Sequence, residues 1–146
     1  MAYVTNAQLI EAMGGDGIVA KYTDDTGSTP TADTITEMIA RADGMMDSYI
    51  AMRYATPVDT STYPKTAAVL RACSIALAAF NIQAIRDMVA PDIKARRETW
   101  LEWLKGLAKG EIEIPAGTEL PGPTSVTDSV FVSETRRGGR DNLARI

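Results

Sequence analysis

Between Asp33 and Tyr54 the apolar residues fall at Ile35, Met38, Ile39, Ala42, Met45, Met46, Tyr49 and Ile50. Those intervals set them in one stripe along a helix, with Glu37, Arg41 and Asp43 read as lying off it. Thr34 and Glu37 have the spacing of a capping box, Thr31 and Asp33 are rival caps, and Pro57 closes the segment. A second pattern begins at Pro64, a residue suited to the first turn of a helix. It predicts a helix from Lys65 to about Met88. The middle, residues 67–80, is apolar on nearly every face, broken only by Arg71, Cys73 and Ser74. A helix apolar all round is covered on most sides. Alanines at 67, 68, 72, 76, 78 and 79 let neighbours approach closely. This is therefore the central helix of a bundle, or one also covered by a neighbouring subunit.

Two weaker patterns flank these. Near the start, Thr5 or Asn6 can cap a short helix carrying Leu9, Ile10 and Met13, which Gly14 and Gly15 stop. Residues 16–31 read as a connector holding the turn-forming run from Asp24 to Ser28, with Ile18, Val19 and Tyr22 as anchors and room for an extra helical turn. After the central helix, Pro91 and Asp92 open a last helix to Lys109. Its stripe is Ile93, Trp100, Leu101, Leu104, Leu107 and Ala108, with Arg96, Arg97, Glu98, Glu102 and Lys105 mostly opposite. Gly110 stops it in the left-handed conformation. From Glu111 the pattern dissolves. Pro115, Pro121, Pro123 and four glycines break any helix, and Val126, Val130, Phe131 and Val132 offer at most one or two short strands. The expected fold is mainly α: a small four-helix bundle in residues 1–110, followed by an extended C-terminal arm in residues 111–146.

Composition narrows the chemistry. The 146 residues suit one domain, and 45% hydrophobic residues suit a core. There is no histidine, so a Ser-His-Asp triad, a Cys-His dyad and a Cys/His zinc finger are excluded. One cysteine, Cys73, forbids an intrachain disulfide and lies in the most apolar helix, where it reads as a small hydrophobe. No apolar run approaches the ~20 residues of a membrane span, and Met1 to Leu9 lacks a signal-peptide layout. A soluble protein of a reducing compartment is expected, with no enzyme activity and no cofactor or metal. Asp24, Asp25 and Ser28 raise calcium, but counting from Asp16 or Asp24 gives no EF-hand loop, so a surface turn is expected. Asp24/Asp25 and Glu98/Glu102 are paired carboxylates without a phosphate loop or a positioned base.

Charge divides the chain again. Residues 1–135 hold 11 basic and 18 acidic side chains, a net −7, whereas residues 136–146 hold four arginines against Asp141, a net +3. An acidic body with a basic end suggests either a partner surface or a solvated tail whose charge has no target. No aromatic residue is interleaved among the late arginines, which argues against sequence-specific nucleic-acid binding. Trp103 falls beside the main stripe of the last helix and, with Arg97, is a candidate inter-subunit contact.

The order of several short motifs resembles a known family. They are Tyr3-x-Thr5 with Leu9; Gly14 or Gly15; Tyr22-Thr23-Asp24 before a glycine turn; and Ala42 with Asp47-Ser48-Tyr49-Ile50. Arg53-Tyr54-x-x-Pro57, Leu70, Ile75-Ala76, Trp103-Leu104, Gly110 and a looser Arg140-Asp141-Asn142-Leu143 follow. In this order they resemble the head-completion, or neck adaptor, proteins of Mu-like tailed phages, whose fold is that of the head–tail connectors. The Ala-rich third helix and the Pro-rich segment after Gly110 depart from that pattern. The resemblance implies a structural virion protein at the head–tail junction, made in the host cytoplasm. Its partners would be the portal protein, a tail-side stopper or tail terminator protein, and copies of itself in a ring of twelve through which DNA passes. Neither a membrane nor sequence-specific DNA contact is implied. In this reading Arg136, Arg137, Arg140, Asp141, Leu143, Arg145 and Ile146 anchor the arm on the portal or a neighbouring subunit. The alternative is a DNA-packaging or regulatory helical protein that binds DNA through its basic C-terminus.

Overall fold

The computed structural model describes residues 2–61 and 63–114. The expected arm residues 115–146, including every anchor named above and the strand at Val126–Val132, lie outside the described residues. Five α-helices are present where four were expected: α1 (Asn6–Ala12), α2 (Asp16–Thr23), α3 (Ala32–Ile50), α4 (Pro64–Ala84) and α5 (Pro91–Lys109). The described part of the chain is all helix and connection, a mainly α bundle.

The additional helix, α2, occupies the first half of the expected connector. Gly15 takes φ +103 at its N-cap, Asp16 sits in its first turn and Lys21 in its last, each favourable to the helix dipole. It buries Val19 and Ala20. Thr5 is the cap of α1, and its capping box is completed by Gln8. The box expected at Thr34 and Glu37 is absent. α3 starts at Ala32, which puts Thr34 inside it, and Glu37 instead pairs with Arg41 one turn on. Thr31, the N-cap, spends its hydroxyl on Thr23, donating to the carbonyl oxygen at 2.9 Å, while its N–H donates to Thr23 Oγ1 at 3.1 Å. That pair ties α2 to α3.

The regular part of α3 ends at Ile50 rather than Tyr54, because the N–H groups of Met52 and Arg53 reach back only three residues. α4 ends at Ala84 rather than Met88, and Asp87 turns the chain at φ +54. The side chain of Gln83 then accepts the Ala90 N–H at 2.9 Å and fixes the entry to α5.

α4 is the central helix. It packs on α3, α5, α1 and α2. Leu70, Cys73, Leu77, Ala78 and Ile82 on it join Ile35, Met46 and Ile50 of α3 and Leu104 and Leu107 of α5 in one core. Burying one such leucine or isoleucine contributes about 1.5–3 kcal/mol. By length and composition α4 could also cross a membrane, a match the reading of apolar runs did not anticipate. Here it is the bundle's axis, largely buried from Cys73 onward, and near its start Ala68, Val69 and Ala72 are exposed beside Lys65 and Arg71. The body continues past α5. Ile112 packs on the core, and Ile114 is buried with its N–H on the Tyr54 hydroxyl at 3.4 Å.

Gly110 closes α5 at φ +84, where a Cβ would come 2.7 Å from an Arg53 guanidinium nitrogen. Both the left-handed backbone and the close approach oppose a side chain. Gly110→Ala should therefore lower stability by about 1–2 kcal/mol, read by urea denaturation. Ala108→Gly, two residues earlier in ordinary helical conformation, should cost less than about 1 kcal/mol.

Candidate functional site

Two features stand out once the helices are in place: a polar clamp inside the bundle and a groove on its surface. The clamp starts from Asp43, which is only 7% exposed. Its spacing from Ile39 and Met46 puts it on the inner face of α3, correcting the expectation that it lay off the stripe. Ser74, at the inward register of α4, donates its hydroxyl to Asp43 Oδ1 at 2.6 Å. The backbone N–H of Tyr3 donates to Oδ2 at 3.1 Å. Both carboxylate oxygens are thus engaged. Burial still pushes the Asp43 carboxyl above the usual range, against those two donors, with Asp47 adding repulsion.

The Tyr3 ring carries the clamp onward. Its hydroxyl donates to Asp47 Oδ1 at 2.6 Å and accepts the Val58 N–H at 3.3 Å. Burial, then the Asp47 hydrogen bond, push the phenol well above its ordinary range. Residues 3, 43, 47, 58 and 74 are so locked together across the N-terminal segment, α3, α4 and the loop behind the cis Thr56–Pro57 bond. The Arg53 guanidinium lies 5.6 Å from the centroid of the Tyr54 ring. The motif residues Tyr3, Asp47 and Pro57 thus meet at the clamp, while buried Tyr54 holds the end of the described chain through Ile114.

The groove runs along the other side of α4. Ala72, Ile75, Ala76, Ala79 and Gln83 form its floor, Ala12 and Met13 at the end of α1 one wall, and Ala90, Asp92, Ile93, Arg96 and Trp100 the other. It holds about 580 Å³ and is open to solvent. That volume falls in the range of sites that take apolar ligands or peptide side chains. Trp100 lines it and meets Trp103 edge-to-face, ring centroids 5.6 Å apart. Trp103 is partly buried against the core, and Arg97 stacks 4.3 Å over the Phe80 ring. These two candidate contacts thus sit on α5 beside the groove rather than in it. The groove itself was not read from the sequence. Its floor consists of the alanines noted for close helix approach, and its signal was the surplus apolar face of the third predicted helix.

The remaining candidates are accounted for structurally. Asp24 caps its own turn: its carboxylate accepts from the Thr26 and Ser28 hydroxyls and from the N–H groups of Ser28 and Thr29. The hydrogen bonds, that from Thr26 foremost, hold it well below the usual carboxylate range. Arg86 ties this turn to the end of α4, donating to the Tyr22 and Asp24 carbonyls and to Asp25 at 2.8 Å. No group of three or more metal-capable side chains occurs among the described residues. Cys73 is buried, and burial pushes its thiol up to about 12.

The clamp gives a pH signature. The folded Asp43 carboxyl holds its proton to higher pH than an unfolded aspartate, so the stability it contributes is full below the ordinary aspartate range and is lost as pH rises through the raised value. The stability difference between the native chain and Asp43→Asn, measured by urea denaturation, should therefore fall as pH rises above the ordinary aspartate range. Asp43→Ala, which strands the Ser74 hydroxyl and the Tyr3 N–H, should cost about 1–3 kcal/mol.

A family model described as Bacteriophage Mu, Gp36 matches residues 3–132. The matched span takes in the whole clamp, the groove and the segment up to Val132, and stops before the arginine-rich end. Among curated proteins nothing matches.

Proposed function

The chain belongs to the bacteriophage Mu Gp36 family and is a Mu-like phage protein, and from that premise we propose that it is a neck adaptor: a structural virion protein that joins the portal to the tail and completes the head. The observation that carries this reading is the family match over residues 3–132, which spans the described body and extends beyond it. The body is a helical bundle whose N-terminal segment is tied to Asp43, and Val69 and Ala72 of its central helix are exposed apolar residues that a neighbour can cover. Copies placed head to tail around an axis make heterologous contacts that close into a ring. In this proposal twelve copies surround the DNA channel, between the portal above and a tail-side stopper or terminator below. The acidic body, net −7 over residues 1–135, keeps passing DNA from adhering. No catalysis and no cofactor enter the role.

The arginines at 136, 137, 140 and 145, with Asp141, Leu143 and Ile146, anchor the arm on the portal or an adjacent subunit in this reading. Arginine pairs with carboxylates in a bidentate fork, and many copies acting together multiply a weak contact. Removing residues 136–146 should abolish capture of the chain by purified portal and leave the bundle's helical circular dichroism unchanged. Portal capture that survives the deletion overturns the anchor. Tight DNA binding by the free protein that collapses with salt, through those same arginines, favours the DNA-packaging alternative instead.

A further inference from the structure

The groove between α1, α4 and α5 has a floor of mostly small residues, of which Ala76 and Ala79 are buried, Ile75 is half-buried and Ala72 is exposed. Met13, Ile93 and Trp100 stand along it, and Ala72 on its floor is exposed. On its rim, Arg96 has no ion-pair partner among the described residues. Asp92, one turn before it on α5, does not pair with it. The site thus asks for a short apolar segment with an acidic group beside it.

The chain beyond Ile114 holds such a segment. Residues 124–132 read Thr-Ser-Val-Thr-Asp-Ser-Val-Phe-Val, with four large apolar residues and Asp128 as the lone charge. They lie within the family match, which ends at Val132. Four apolar residues between proline-rich and arginine-rich stretches cannot bury themselves and need a host surface. Residues 115–123 contain three prolines, a composition that spans about 3 Å per residue, on the order of 28 Å in all.

We propose that residues 124–132 of one copy dock in the α1–α4–α5 groove of a neighbouring copy, Val130, Phe131 and Val132 over the alanine floor and Asp128 against Arg96. The choice of a neighbour's segment over the chain's own rests on the ring reading above. The contact is heterologous, donor segment to acceptor groove, and so propagates in one direction around a ring. A further consequence is that Ala72, exposed in the described body, is covered only in the assembly.

The test uses full-length chains, because the thiol of Cys73 is buried and does not interfere. Ala72→Cys chains mixed with Val130→Cys chains should give an interchain disulfide under mild oxidation. Ala40→Cys, exposed on α3 away from the groove, should give none when mixed with the same partner. Adding Arg96→Glu to the Ala72→Cys chain should slow the crosslink about fivefold, the worth of one exposed ion pair. Asp128→Lys in the Val130→Cys chain should restore it. Failure to crosslink faster than the Ala40→Cys control overturns the inference. So does a double variant, Ala72→Cys with Val130→Cys, that closes only within single chains. Portal capture of the native chain is scored separately: if it persists without the crosslink, the groove inference falls and the adaptor reading stands; if the crosslink forms without portal capture, the reverse holds.

Discussion

A carboxylate held almost out of water must be met by donors from wherever the fold can supply them, and Asp43 sets that demand at the centre of this bundle. Its two oxygens draw in the backbone of Tyr3 and the hydroxyl of Ser74. The first brings the N-terminal segment down across α3, and the second fixes the register of α3 against α4. Once Tyr3 is held, its hydroxyl organises Asp47 and the Val58 backbone, and with them the loop into α4. Replacing the pair by apolar side chains of similar shape can cost little in stability. What such a polar node provides is one register of α3 against α4 in place of several.

Most of the helices were legible because they follow elementary periodicity. The stripe from Ile35 to Ile50, the proline at the start of α4 and the glycine after α5 mark elements now seen as α3, α4 and α5. α2 was legible only as anchors in a connector, since eight residues containing a glycine give a weak pattern, although Asp16 and Lys21 at opposite ends fit a helix. Asp43 was misread for a different reason. It lies four residues after Ile39 and three before Met46, which is core register, but its charge was taken as proof of exposure. Ser74 lies four after Leu70 and three before Leu77, again core register. Two polar residues at inward positions of successive helices are the sequence signal of a buried pair, and angle should have outweighed polarity.

The motifs that carry the family resemblance prove to be mostly scaffold. Tyr3, Asp47 and Pro57 meet at the clamp, Tyr54 is buried and takes the Ile114 N–H, and Gly110 closes α5 against Arg53. They identify the family because they shape a body of fixed outline. The groove and the α5 residues Arg97 and Trp103 are built by other residues than these. This separation explains why the fold could be read further than the site. A groove is a property of three helices at once, and no single helix displays it.

The central claim is that this phage protein is a ring-forming neck adaptor. An electron-microscopic reconstruction of the neck in intact particles tests it most directly. The account predicts a ring of five-helix bodies between portal and tail, with DNA on its axis. Particles whose neck contains no copy of this chain, with the protein found instead as a free DNA-bound dimer, would contradict it.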